Sequence, residues 1–240
     1  MATPGPGLTV EPPDGARRAS GRALAVRLIV TGIAIGFWFW TQSLIGRRHP
    51  ASSGISDGLQ SLSAPLNHYL VLHPAAANGL LIVSSGLIDL LALFVFGEFV
   101  FGCSVRPLLG LVILLGLRQV AQALCALPEP DHMIWHYPGF PSLLVTYSVS
   151  KDFFFSAHTA IAVFAATEIA RLGRRWLTVL AVGNVVFEAA TVLVLRAHYT
   201  MDVFTAIMAA LYIAYLAGRI SPPLDRKLAK YMSPTGSGAP

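Results

Sequence analysis

The sequence predicts an all-α, polytopic membrane protein with six transmembrane helices. Two observations support this class: 55% of the 240 residues are hydrophobic while only 12% are charged, and the apolar residues occur in long runs rather than at amphipathic spacing. A helix needs about 20 apolar residues to cross the roughly 30 Å hydrocarbon layer. Six runs reach or approach that length, covering residues 23–45, 76–100, 107–127, 154–172, 176–197 and 199–220.

The two ends of the chain differ in composition from these runs. Residues 1–22 are rich in Pro, Gly and Ala, carry several Arg, and lack the apolar core of a signal peptide. We predict a flexible basic N-terminal tail there, and a flexible C-terminal tail over residues 221–240. Residues 23–220 then form a single membrane domain.

The distribution of Lys and Arg predicts the orientation. With six crossings, most of these residues lie on the side of the two termini, and the positive-inside rule places that side in the cytoplasm. The opposite side receives Arg47, Arg48, Lys151 and Arg196. The net charge of +5 is therefore interpreted as a topology signal, and we expect no nucleic-acid partner.

The first segment and the loop after it offer few candidate site residues. Aromatic residues 37–40 stand near the outer end of segment 23–45, where such rings favour the headgroup level, so we interpret them as a membrane anchor. The loop holds His49, His68 and His73 without the spacing of metal ligands, which is typical of solvated loop residues.

Several ionisable residues fall inside or beside apolar runs. Charge within a bilayer is costly, so such residues are either paired or functional. Asp89 and Arg118 either neutralise each other or act directly in function, and Glu98 is expected at the cytoplasmic interface. The sequence leaves the roles of Asp89, Glu168 and Glu188 open.

A proline-rich loop precedes the fourth segment. The prolines between residues 128 and 141 end the preceding helix and stiffen an extended connection. Aromatic residues in the loop, such as Trp135 and Tyr137, are expected to lie at the membrane interface.

The fourth and fifth segments are predicted to form an antiparallel pair. They are joined by residues 171–175, a turn too short to let them separate. His158 lies at the outer end of the fourth segment and His198 at the outer end of the fifth. The hairpin therefore predicts that the two histidines lie at the same depth.

His198 and Asp202 are predicted to interact because residues four apart are neighbours on one helical face. A carboxylate bonded to one imidazole nitrogen makes the other nitrogen a better nucleophile or base. With His158 as a separate proton donor, this set suffices for a two-step displacement through a covalent histidine intermediate. An interfacial pair without chemistry and a transporter's proton relay are the alternatives. A zinc site is disfavoured because three ligands at most are present, and no cofactor is implied.

Three cations are expected at the same level and are candidates for binding a substrate phosphate: Arg118, Lys151 and Arg196. Arginine suits bidentate phosphate contacts, and lysine suits contact as a point charge. Such donors stabilise the additional negative charge of a pentavalent phosphoryl transition state.

Two short motifs carry a resemblance to known lipid enzymes. Residues 155–159 (Phe-Ser-Ala-His-Thr) and 198–202 (His-Tyr-Thr-Met-Asp) resemble the paired motifs of sphingomyelin synthases and their relatives in the type 2 phosphatidic acid phosphatase superfamily. The plant phosphatidylcholine:diacylglycerol cholinephosphotransferases are similar too, particularly in the arginine at position 196. The resemblance covers about residues 118–220, and Ala157 departs from it by replacing a glycine.

The resemblance implies an active site on the non-cytoplasmic face that needs no metal. It also implies that His198 is the nucleophile, that Asp202 activates it, and that His158 protonates the leaving lipid alcohol. The phosphatase branch differs: it has Ser-Arg where this chain has Thr191 and Val192. This difference favours transfer over hydrolysis.

The sequence therefore predicts a membrane lipid phosphotransferase that moves a phosphorylated headgroup, with phosphocholine favoured, from a phospholipid donor to diacylglycerol or ceramide. Hydrolysis at the same site and a non-catalytic lipid-binding or transport protein are the alternatives. The sequence does not decide between the endoplasmic reticulum or Golgi and a bacterial inner membrane. It also leaves open whether the protein forms a homo-oligomer.

Overall fold

A computed structural model of the protein describes residues 21–45, 55, 57–147 and 153–232. The predicted N-terminal tail lies almost wholly outside these residues. Within them the chain forms eight α-helices and no strand. The helices are α1 (Gly21–Ile45), α2 (Gly58–Leu62), α3 (Ala64–Leu72), α4 (Pro74–Phe101), α5 (Arg106–Leu124), α6 (Ala157–Ala170), α7 (Arg175–Val194) and α8 (Thr200–Met232).

Five of these helices, α1, α4, α5, α7 and α8, are long and apolar enough to cross a membrane. The prediction of an all-α membrane protein is therefore confirmed for five spans rather than six. The fourth predicted span is shorter, because residues 153–156 are not helical and α6 has only 14 residues. At 1.5 Å per residue, α6 extends about 21 Å, less than the roughly 30 Å hydrocarbon layer.

Helix α6 forms the centre of the bundle and packs against α4, α5, α7 and α8. Its side chains are almost all buried, including Ala160, Phe164 and Ala165 with no exposed surface. Gly110 of α5 allows this packing, since a Cβ atom at that position would lie 2.3 Å from the Phe164 ring. The chain thus buries this 14-residue apolar helix and surrounds it with longer ones.

Helix α8 continues well past the predicted end of the last span. It extends through Met232 and includes Pro222 and Pro223, so the prediction of a flexible tail is wrong for residues 221–232. Asp225 explains the continuation, because its carboxylate accepts hydrogen bonds from Ser104 Oγ and Val105 N, both at 2.7 Å. This contact attaches the helix extension to the start of α5.

The short helices α2 and α3 pack against the opposite end of the bundle, where α6 begins and α7 ends. Asn67 Nδ2 donates to the main-chain oxygen of Val194 at 2.9 Å. Gln60 Nε2 donates to the main-chain oxygen of His198 at 3.1 Å. The segment that was expected to be a solvated loop therefore contacts the α7–α8 connection.

Candidate active site

The two histidines of the sequence motifs line one cavity at this end of the bundle. Both are buried, with 6% of each residue exposed. The hairpin of α6 and α7 brings them together as the short 171–175 turn predicts. The lining also includes Arg118 of α5 and two tryptophans, Trp38 of α1 and Trp135 of the proline-rich loop.

His198 is held by its Nδ1 atom. This atom lies 2.7 Å from the main-chain oxygen of Phe153 and 3.3 Å from Oδ2 of Asp202. A main-chain carbonyl only accepts hydrogen bonds, so Nδ1 carries a proton, and in the neutral imidazole the free electron pair is on Nε2. This tautomer is the one a nucleophilic histidine needs.

Asp202 lies behind His198, in the first turn of α8, and has no exposed surface. Its Oδ2 also accepts a hydrogen bond from Tyr199 N at 2.9 Å. A carboxylate is stabilised at a helix N-terminus by the helix dipole and by the free N–H groups there. The predicted contact between His198 and Asp202 is thus present, and it places a negative charge next to the imidazole. The two residues do not share a helical face, because His198 lies in the connection before α8.

His158 is the second residue of α6. The side chain of Ser156 caps this helix by accepting a hydrogen bond from Thr159 N at 3.3 Å. The indole of Trp135 meets the imidazole edge-on, with ring centroids 5.5 Å apart and an interplanar angle of 82°. The cap and the aromatic contact fix the position of His158 in the cavity wall.

Arg118 is the most deeply buried cation of the cavity, with 1% exposed. Its Nε donates to the main-chain oxygen of Phe155 at 2.6 Å, and its guanidinium lies 5.8 Å from the ring centroid of Trp38. A guanidinium fixed in this way presents a planar charge that suits a phosphate. The predicted phosphate-binding position of Arg118 is therefore compatible with the structure.

Trp38 was interpreted as part of a membrane anchor, and the structure corrects this. The residue is buried in the cavity wall, whereas its neighbours Phe37, Phe39 and Trp40 are exposed. Gln42, four residues later, lines the same cavity. A tryptophan and a glutamine on one face of an apolar helix are the sequence signal that points to this role.

Arg196 does not lie where the sequence prediction places it. It lines a different cavity together with Glu129 and Asp131, and its Nη1 donates to the main-chain oxygen of Asp131 at 2.8 Å. The α7–α8 connection turns sharply at this residue, which has a φ angle of 53°. A role in binding the substrate phosphate beside His198 is therefore not supported for Arg196. The third candidate, Lys151, lies outside the described residues.

Asp89 has a structural partner other than Arg118. Its carboxylate accepts hydrogen bonds from Ser142 Oγ and from the main-chain N–H groups of Leu143 and Leu144, at 2.8 to 3.0 Å. Leu144 in turn lines the cavity. The intramembrane carboxylate therefore holds the proline-rich loop against the site.

The residues that orient the α7–α8 connection include two that the sequence prediction missed. Asp57 accepts hydrogen bonds from Thr200 N and Thr200 Oγ1, both at 2.6 Å, and from Gln60 N at 3.0 Å. Asp57 thereby caps α2 and also holds the start of α8, while Gln60 binds the His198 carbonyl. An aspartate just before a short helix indicates the α2 cap, but no local pattern indicates the contact with α8.

The donor set of the cavity is suited to a phosphate ester. It offers two imidazoles and a guanidinium. Across the part of the chain that the structure describes, no group of three or more His, Cys, Asp or Glu side chains is arranged to hold a metal ion.

Comparison with known proteins identifies the family. Searches of curated proteins and of solved structures return no match. A family profile described as AtPDCT1/2 matches residues 57–219, which is more than half of the chain and includes both histidine motifs. The chain belongs to the AtPDCT1/2 family, that of the plant phosphatidylcholine:diacylglycerol cholinephosphotransferases.

Proposed function

We propose that this protein transfers phosphocholine from phosphatidylcholine to diacylglycerol. The observation that carries the proposal is the arrangement of His198, whose Nδ1 binds Phe153 and Asp202 so that Nε2 is a free nucleophile, in one cavity with His158. Membership of a family of cholinephosphotransferases supports the choice of phosphocholine as the transferred group.

In the first step, Nε2 of His198 attacks the phosphorus atom of phosphatidylcholine. The N–P bond forms, and the P–O bond to glycerol breaks with its electron pair going to oxygen. Protonated His158 donates a proton to this oxygen, and diacylglycerol leaves. Asp202 stabilises the positive charge that develops on His198, and Arg118 stabilises the charge on the phosphoryl oxygens.

In the second step, neutral His158 removes the proton from the hydroxyl group of a second diacylglycerol. The freed oxygen attacks phosphorus, the P–O bond forms, and the P–N bond breaks with its electron pair returning to His198 Nε2. His158 is again protonated and His198 again neutral, so the cycle consumes no other reactant. The cavity needs to exclude water while the phosphohistidine intermediate exists, and the loop held by Asp89 forms part of the cavity wall.

The proposal also includes the predicted orientation of the protein in the membrane and its six crossings. Both termini lie in the cytoplasm, the site faces the other side, and the short α6 with its non-helical approach completes the sixth crossing inside the protein. Non-helical backbone is tolerated at membrane depth where protein surrounds it, and Phe153 and Phe155 are buried.

The test uses the purified protein in vesicles of phosphatidylcholine with diacylglycerol labelled in its glycerol. Labelled phosphatidylcholine is expected from the wild type and is expected to fall to background in His198→Ala and His158→Ala. The exposed His73→Ala is the matched control. Unchanged transfer in both cavity variants would overturn the proposal. Free phosphocholine that forms without diacylglycerol would instead indicate hydrolysis, and lipid binding without either product would indicate a non-catalytic protein.

A further inference from the structure

A second cavity adjoins the candidate active site. It is an apolar groove between α1 and α5, with about 670 Å³ of space that is partly open to the surroundings. Its walls are formed mostly by aliphatic and aromatic side chains, including Ile35, Phe37, Phe96, Leu111 and Leu115. Burying a charged headgroup in such a groove would be costly because these side chains offer it no polar partner. The groove is therefore suited to a hydrocarbon chain.

The groove is adjacent to the catalytic cavity. Trp38 and Leu144 line both of them. At the junction, Gln119 of the groove donates from Nε2 to Oε1 of Gln42 in the catalytic cavity, at 2.9 Å. The polar space and the apolar space therefore lie next to each other, as a lipid with a polar headgroup and an apolar chain requires.

The groove is long and has room beside α5. It extends along this helix from Gln119 to Leu108, which corresponds to roughly 16 Å at 1.5 Å per residue. At Gly116 a Cβ atom would meet nothing within 4 Å. The rim is accessible, since Phe37 and Val112 are 56% and 45% exposed on the surface that faces lipid.

We propose that this groove binds one acyl chain of the phospholipid donor, so that the donor reaches the site sideways from the membrane between α1 and α5. The assignment rests on the proposed function. The donor is chosen over the acceptor because Arg118, the candidate phosphate ligand, lies against Trp38 at the junction. When the phosphate of the donor contacts Arg118, the acyl chain of the same molecule begins beside the mouth of the groove.

The test fills the groove without touching the catalytic residues. Gly116→Phe places a ring in the space beside α5, and Gly183→Phe makes the same change on α7, where a Cβ atom also meets nothing within 4 Å. Transfer is measured with two donors, dioleoyl phosphatidylcholine and dibutyryl phosphatidylcholine. For Gly116→Phe we expect kcat/KM for the long-chain donor to fall about tenfold or more. A loss of this size corresponds to about two methylene groups of the acyl chain that are no longer buried. The short-chain donor is expected to change less than about twofold, and Gly183→Phe is expected to match the wild type with both.

Equal losses with both donors would overturn the assignment, and so would a loss confined to the KM of diacylglycerol, which would place the acceptor's chain in the groove. If Gly116→Phe does not fold, Ile35→Trp on the facing wall replaces it with the same expectations.

A readout without turnover separates this inference from the proposed function. Phosphatidylcholine with a photoreactive diazirine in the middle of one acyl chain is expected to label peptides of α1 and α5, less in Gly116→Phe and undiminished in Gly183→Phe. Labelling of this kind in a protein that shows no transfer would support the groove and reject the proposed reaction. Labelling that Gly116→Phe does not reduce would reject the groove.

Discussion

His198 Nδ1 lies closer to the main-chain oxygen of Phe153, at 2.7 Å, than to the carboxylate of Asp202, at 3.3 Å. Two acceptors therefore share one N–H group. The carbonyl fixes the tautomer of the imidazole without any charge, while the carboxylate adds the negative charge that stabilises an imidazolium. The two contributions are separable by mutation.

Asp202→Asn is expected to lower kcat by about 100-fold. In a serine protease triad the same change costs about 10⁴-fold because the histidine adopts the wrong tautomer. Here Phe153 retains the tautomer, so the loss reflects mainly the missing charge. The initial rate of phosphocholine transfer, normalised to folded protein, measures this, with the exposed Asp131→Asn as control. A loss of about 10⁴-fold or more would show that the Phe153 carbonyl does not hold the tautomer.

Trp38→Ala is expected to weaken catalysis, although Trp38 belongs to the first helix and lies outside both motifs. The indole packs against the guanidinium of Arg118, and a desolvated cation–π contact contributes about 2 kcal/mol, or roughly 30-fold in kcat/KM. Trp38→Phe keeps an aromatic face and is expected to lose less than Trp38→Ala.

The control for Trp38 stands two residues away. Trp40 is on the same helix but is 58% exposed, so Trp40→Ala removes the same side chain from the lipid-facing surface. We expect its kcat/KM to match the wild type. Similar losses in the alanine variants of Trp38 and Trp40 would indicate a general effect of aromatic anchoring in α1 rather than support of Arg118.

The part of the site that the sequence predicts is the part that local geometry determines. A four-residue step and a short helix hairpin suffice to place His158, His198 and Asp202, because the short turn aligns the ends of α6 and α7 and only three residues separate His198 from Asp202. Trp38 and Gln60 were missed since each reaches the site through a contact between distant parts of the chain.

At two further places the structure differs from the sequence prediction because of features that the local sequence does not show. Arg196 is close to His198 in sequence, but the backbone reverses at that residue and turns its side chain toward Asp131. The helical extension through Met232 was missed because the composition of residues 221–232 is that of a flexible tail. The contact of Asp225 with the start of α5 outweighs that local preference.

Asp57 is expected to make the stability of the protein depend on pH. Burial raises the pKa of this carboxyl, but hydrogen bonds from Thr200, Gln60 and Leu59 outweigh burial and lower the pKa below its ordinary value of 3.8. The unfolded chain therefore binds the proton more readily than the folded protein does. The stabilisation by the carboxylate is complete above about pH 3.8 and is lost as the pH falls through the lower pKa of the folded state.

Asp57→Asn tests this dependence. At pH 7 we expect a loss of about 1–2 kcal/mol, the usual contribution of a helix cap, together with a lower kcat because α8 carries Asp202. The difference in melting temperature between Asp57→Asn and the wild type is expected to shrink below pH 3.8, where the carboxyl of the unfolded wild-type chain takes up a proton that the folded protein does not yet bind. Thermal unfolding of both proteins in detergent from pH 7 to pH 3 measures this difference in melting temperature. A difference that stays constant over this range would show that the carboxylate charge does not contribute.

Arg106 and Glu168 form a buried ion pair at the end of the bundle opposite the histidines, with 8% and 6% of their side chains exposed. Arg106 Nη2 also donates to the main-chain oxygen of Ala214 at 3.1 Å, so the pair connects α5, α6 and α8. Glu168 is ten residues after His158, which is about 15 Å along the helix. The pair is therefore expected to contribute to stability and not to chemistry.

Removal of one partner leaves a buried charge without compensation, which typically costs 3–5 kcal/mol, so Glu168→Gln is expected to lower the melting temperature strongly. The double variant Arg106→Met with Glu168→Leu replaces the pair by apolar side chains and is expected to recover much of this loss, because neither charge then has to be desolvated. The kcat of the folded fraction is expected to match the wild type in both. A reduced kcat in the stable double variant would instead show that this distant pair influences the geometry of His158 through α6.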